Sequence, residues 1–169
     1  ELNLPGRIIL ISQSGDQTIP LNKVTAHLIQ GDQMITNFSE ETGQLVATAP
    51  PGTYTIQGKY LAIPEQFSEV QTTISPGRER QVFLDFPATS RLLVNLNLDG
   101  RAFSPASVSL YEGAHYLASL IPRGNGVFEE YVATGSYRLY VEPDTNTGVR
   151  DCWESIDVPP QRTTEKTIS

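Results

Sequence analysis

The stretch Thr42-Gly-Gln-Leu-Val-Ala-Thr-Ala-Pro-Pro-Gly-Thr-Tyr-Thr-Ile56 decides how this chain folds. Gly43 opens a short strand, and Pro50 and Pro51 end it, because proline cannot donate to a sheet ladder. Gly52 then offers a turn position at which a positive φ is free of steric cost. Beyond it the chain re-enters a strand. With a period of two, Tyr54 and Ile56 share one face and Thr53 and Thr55 the other.

The same alternation runs along the whole chain. No stretch of ten or more residues carries apolar positions at helical spacing. The 13 glycines and 12 prolines are spread as turn punctuation rather than gathered in one linker. Short strands at a spacing of about 8–12 residues with such turns between them predict a β-sandwich or barrel.

The pattern also repeats. Arg7-Ile-Ile-Leu-Ile11 is matched by Arg91-Leu-Leu-Val-Asn95, and Pro20 followed by Val24 is matched by Pro105 followed by Val108. Gly43-Gln-Leu45 is matched by Gly126-Val-Phe128, Gly52-Thr-Tyr54-Thr-Ile56 by Gly135-Ser-Tyr137-Arg-Leu139, and Ile74-Ser-Pro76 by Val158-Pro-Pro160. The five pairs keep their order at offsets of 83 to 85 residues. That period is too long for a solenoid unit and suits a small sandwich domain. The expected modules are residues 1–87 and 88–169, with the boundary at Phe86-Pro87-Ala88-Thr89. So short a linker predicts a semi-rigid rod. Seven strands are expected in each module. They lie at about 6–13, 23–29, 33–38, 43–48, 52–60, 68–75 and 79–86, and at about 90–98, 106–111, 115–121, 126–132, 135–142, 152–158 and 163–168.

The Gly-strand-Pro-Pro-Gly-x-Tyr arrangement of residues 42–56 resembles the signature of transthyretin-like (prealbumin-like), Cna-B-like and carboxypeptidase-regulatory-like domains. The second repeat keeps Gly126, Phe128, Gly135, Tyr137 and Leu139 but has Ala133-Thr134 in place of the proline pair. The resemblance implies an all-β fold of two tandem seven-stranded Greek-key sandwiches, Ig-like or prealbumin-like, used as stalk, spacer or accessory modules. Some relatives lock themselves with a Lys–Asn isopeptide bond, which needs a lysine on the first strand. Arg7 and Arg91 stand there instead, and a guanidinium is a poor nucleophile. Ile56-Gln57-Gly58 also occupies the stretch where relatives carry an acid, so no such crosslink is expected.

Composition narrows the function. A net charge of −7 with only three lysines, Lys23, Lys59 and Lys166, argues against nucleic acid. No apolar run is long enough for a membrane span. Cys152 is the only cysteine, which excludes an internal disulfide and a cysteine-based zinc site. The start at Glu1 fits a processed secreted chain or an excised segment.

Few residues suggest chemistry. His27 and His115 fall in different modules, on corresponding strands or the turn that follows, without zinc-ligand spacing. No G-x-S-x-G elbow occurs, so no catalytic residue is assigned and the chain is read as a non-enzyme. Asp144, Asn146 and Asp151 weakly resemble a calcium loop, but the glycine and the closing glutamate are out of place. Ordinary turn chemistry explains them, and no cofactor is expected. Asn37-Phe-Ser39 fits the N-glycosylation pattern. Glu130 falls in an inward register, with Arg91 or Arg138 available to pair it; an exposed strand end is the simpler expectation.

Tyr111, Tyr116, Tyr131, Tyr140 and Trp153 exceed what one small core needs. The bulk of tryptophan favours Trp153 filling the core, with tyrosines at the module junction. The other reading makes Tyr140, Trp153 and Tyr116 ligand contacts on the surface. The expected role is a non-catalytic structural, adhesive or spacer segment of an extracellular, periplasmic or cell-envelope protein, in contact with a protein partner or glycan on the cell surface. The alternative is a carbohydrate-binding accessory module of a larger extracellular enzyme, with Trp153 and Tyr140 as stacking platforms.

Overall fold

The computed structural model describes residues 3–160 and 162–169, so Glu1 lies outside the described residues. Two compact units divide it. One runs to Leu61 and from Glu65 to Pro87; the other takes Ala62–Pro64 and Ala88–Ser169.

The first unit holds β1 (Gly6–Ser14), β2 (Gln17–Thr18), a 3-10 turn at Leu21–Lys23, β3 (Val24–Gln30), β4 (Gln33–Asn37), β5 (Ser39–Glu41), β6 (Gln44–Ala49), β7 (Gly52–Tyr60), β8 (Gln66–Ile74) and β9 (Glu79–Phe86). The second repeats the plan with β10 (Thr89–Leu98), β11 (Arg101–Ala102), β12 (Ala106–Glu112), β13 (His115–Ser119), β14 (Ile121–Gly124), β15 (Val127–Ala133), β16 (Gly135–Pro143), β17 (Cys152–Val158) and β18 (Thr163–Ile168). The fold is therefore all-β, in tandem sandwiches. Among the described residues each unit has the seven expected strands plus two short ones: β2 and β5 in the first, β11 and β14 in the second. A two- to four-residue strand is too short to display a period, so the sequence pattern passes over it.

In the first unit one sheet runs β4-β3-β7-β8, antiparallel throughout. The facing sheet is built on β1, which pairs antiparallel with β6 and β2 and parallel with β9 over Arg7–Ser14. The second unit has β13-β12-β16-β17 opposite a sheet built on β10, which pairs antiparallel with β15 and parallel with β18. Each unit is thus closed by its first and last strands lying side by side in the same direction. Parallel neighbours need a long crossover, and here the crossover is the rest of the module.

The inward rows are those that the alternation marks. Ile8, Leu10, Leu28, Ile56, Leu84 and Phe86 are buried in the first unit. Leu92, Val94, Leu110, Phe128, Leu139 and Val158 belong to one apolar cluster in the second. Ile63 adds a parallel bridge to Val132 in the second unit, through its N–H to the Tyr131 carbonyl and its carbonyl to the Ala133 N–H, each 2.9 Å.

Candidate functional site

The Gly-x-Tyr turn fixes where the outer faces point. Tyr54 Oη donates to the Pro50 carbonyl at 2.7 Å, and Tyr137 Oη donates to the Ala133 carbonyl at 2.9 Å. Each tyrosine is buried and clamps the turn that precedes its own strand. Burial also raises the ionisation of the Tyr137 phenol above its usual range. Gly52 and Gly135 both have φ 159°, close to extended backbone rather than in the left-handed turn region expected for Gly52. What glycine supplies there is space. A Cβ at Gly135 would stand 3.2 Å from the Tyr137 ring and hydroxyl, and one at Gly52 would stand 3.4 Å from the Tyr54 ring.

With Tyr137 and Leu139 inward, Arg138 and Tyr140 of β16 face outward. Tyr140 lies opposite Trp153 on β17 and Ser109 on β12, while Arg138 lies opposite Tyr111 on β12, which pairs with Tyr116 on β13. The rings form one continuous group. Trp153 packs against Tyr140 at 4.7 Å and 35°, and against Tyr111 at 5.0 Å and 65°, and Tyr111 meets Tyr116 edge-on at 5.6 Å. The Arg138 guanidinium stands 4.3 Å over the Trp153 ring. Hydrogen bonds hold the ends: Tyr140 Oη to Asp151 Oδ2 at 2.8 Å, and Tyr116 Oη with Ser119 Oγ at 3.1 Å. The Asp151 bond pushes ionisation of the Tyr140 phenol up to about 12.

Trp153 therefore does not fill the core. It remains 44% exposed, and Tyr116 53%. The reason is register. Cys152, Glu154 and Ile156 take the inward places on β17, and Leu, Val, Ile, Phe128 and Tyr137 side chains make up the core cluster.

The first unit offers an internal comparison. Ile56 follows Tyr54 as Leu139 follows Tyr137, and Leu28 pairs with Ile56 as Leu110 pairs with Leu139. In this frame Tyr111, Tyr116, Arg138, Tyr140 and Trp153 correspond to Ile29, Met34, Thr55, Gln57 and Glu69. The same sheet forms there without one aromatic at these places, so the fold does not require the ring group.

Sequence reasoning passed over a second outer-face feature. Phe67, on β8, is 69% exposed and lies opposite Lys59. Two hollows of about 430 and 380 Å³ share Gln57, Gly58 and Phe67; Ser68 and Glu69 line one, and Thr25, His27 and Lys59 the other. The signal available was Phe67 standing next to Gln66 and Ser68 near a strand start, which alternation reads as an ordinary edge residue.

Glu129 and Glu130 correct another expectation. The strand end is not exposed: Glu129 is 7% exposed and Glu130 8%. Glu130 faces inward as its register predicts, and its Oε1 accepts the Tyr131 N–H at 2.9 Å. Arg91 pairs instead with the outward Glu129, in a fork of 3.0 and 3.1 Å, and Arg123 Nε reaches the same carboxylate at 3.0 Å. The Arg91 hydrogen bond lowers the Glu129 ionisation below the usual carboxylate range.

The remaining candidates are dispersed. Thr147 donates its N–H and hydroxyl to the Asp144 carbonyl, which is turn chemistry around Asn146, and Asp151 is engaged by Tyr140. No group of three or more His, Cys, Asp or Glu residues that could hold a metal ion exists among the described residues. His27 lies on β3, but His115 opens β13, the strand after the one that corresponds to β3. Burial pushes the Cys152 thiol up, away from the reactive thiolate. No helix among the described residues is long and apolar enough to cross a membrane.

No family model and no curated protein matches the sequence. Solved structures match the fold. The shaft pilin SpaA from Lactobacillus rhamnosus GG is 10% identical, with a TM-score of 0.52, over 97% of this chain and 95% of that one. GBS52, the minor pilin of Streptococcus agalactiae, is 14% identical over 98% and 94%, with a TM-score of 0.39. The Bacillus anthracis TIE protein is 11% identical over 98% of this chain, with a TM-score of 0.43, and this chain spans only 34% of its length. At these identities the likeness is one of fold alone, two β-sandwiches in tandem.

Proposed function

We propose that this chain is a non-catalytic structural and adhesive segment of a secreted or cell-envelope protein, and that the outer face of β13-β12-β16-β17 is its contact surface for a protein partner. The observation that carries this reading is the aromatic–arginine group of the second unit, set against its absence from the equivalent face of the first. Tyr, Trp and Arg are the residues that anchor protein interfaces. Here Trp153, Tyr140, Tyr111 and Arg138 already hold one another in place, which reduces the ordering cost on binding. The whole-chain fold likeness to a shaft pilin fits a spacing role. Glycan stacking at Trp153 is less favoured, because Arg138 and Tyr140 already lie against its ring.

The test has two parts. Protease treatment of intact cells producing the full-length protein should cleave it; complete protection with cytoplasmic retention would refute a surface role. Adhesion or surface assembly should then drop in a Trp153→Ala/Tyr116→Ala double variant that keeps its fold. Unchanged adhesion would remove the contact face from the proposal.

A further inference from the structure

We propose that the hollows flanking Phe67 on the first unit form a binding site for a neutral sugar. A pyranose has one face of C–H groups and a rim of hydroxyls, and it needs a free ring face with directional donors and acceptors beside it. Phe67 supplies the first. No ring or guanidinium packs on it among the described residues, in contrast to Trp153. The electron-rich face of an aromatic ring attracts polarised C–H groups.

The neighbouring rows supply the second requirement. Thr25, Lys59 and Phe67 lie side by side across β3, β7 and β8, and His27, Gln57 and Glu69 form the next row. These side chains offer a hydroxyl, an ammonium, an imidazole, a carboxamide and a carboxylate within one outer face. Gln57 Nε2 reaches Glu69 Oε2 at 3.4 Å, a long bond that leaves both groups with capacity for a ligand hydroxyl. Charge decides the ligand class. Glu69 opposes an anion, and Lys59 opposes a cation while it is paired with Glu65 at 3.4 Å. A polyhydroxylated neutral ligand meets neither penalty. Gly58 contributes only backbone to the floor of both hollows, with Leu84 and Phe86 packed beneath it.

This site does not depend on the protein-contact reading of the second unit. The experiment is an amide NMR titration of the whole chain with methyl glycosides of galactose, glucose and mannose and with N-acetylglucosamine. At least one should shift the amides of Gln57, Lys59 and Phe67. Phe67→Ala should weaken that binding by about tenfold or more, while Phe67→Tyr retains it and Trp153→Ala leaves it unchanged. Absence of shifts with every sugar, shifts centred on Trp153, or equal binding by a folded Phe67→Ala protein would each overturn the proposal. Binding of a protein ligand through Phe67 with no sugar response would overturn it as well.

Discussion

Tyr54 and Tyr137 each reach back four residues to a carbonyl at or just past the end of the preceding strand. Replacing either by phenylalanine keeps the ring over its glycine and removes only the hydroxyl. Each change should cost about 1 kcal/mol, read from the shift of a denaturant midpoint. Glu129 is the other residue whose chemistry can be isolated. Its ionisation is depressed in the folded state, so protonation favours unfolding. Its contribution is fully present at neutral pH and is lost as the pH falls through and below the ordinary carboxylate range. Arg91 and Arg123 are half-exposed and screened, so Glu129→Gln should cost only about 1 kcal/mol at pH 7. The variant and the parent should converge in acid. A difference that grows on acidification would contradict the ion-pair account.

At the scale of elements, the hairpin β14–β15 depends on the approach of Gly126 to the backbone of β10. A Cβ at Gly126 would lie 2.6 Å from the Leu96 carbonyl oxygen and 2.9 Å from the Phe103 nitrogen, at a φ of +72°. Gly124 also has a positive φ, +89°, but faces open space. Gly124→Ala should therefore cost strain only, about 1 kcal/mol, and Gly126→Ala strain plus overpacking, about 3 kcal/mol. Thermal melts of the two variants separate the contributions, and equal losses would show that the close approach is unimportant.

For the whole molecule, the parallel pairs β1/β9 and β10/β18 close each unit. The first strands present Ile8 and Leu10, and Leu92 and Val94, to the cores, while Arg7 and Arg91 face outward onto carboxylates. Lys166 is paired with Glu154 and Lys59 with Glu65. The intact mass should equal that of the uncrosslinked chain, and a loss of ammonia would reveal an isopeptide bond. Since each unit is closed by strands from its two ends, loop-closure entropy precedes the contacts that reward it. Refolding followed by Trp153 fluorescence should take milliseconds to seconds rather than microseconds.

Residues 42–56 and their repeat at Gly135-Ser-Tyr137 determined the tandem all-β plan, because alternation and turn chemistry are local and survive in one dimension. The inward place of Glu130 was legible for the same reason. The parallel pairing of first and last strands, the fork from Arg91 to Glu129 rather than Glu130, and the outward place of Trp153 were decided by tertiary structure. Alternation ranks the two faces of a strand but does not say which distant strand covers either face. Trp153 and Phe67 have bulk suited to a core and stand outside one, since the inward rows of their sheets were already filled by the residues that alternate with them.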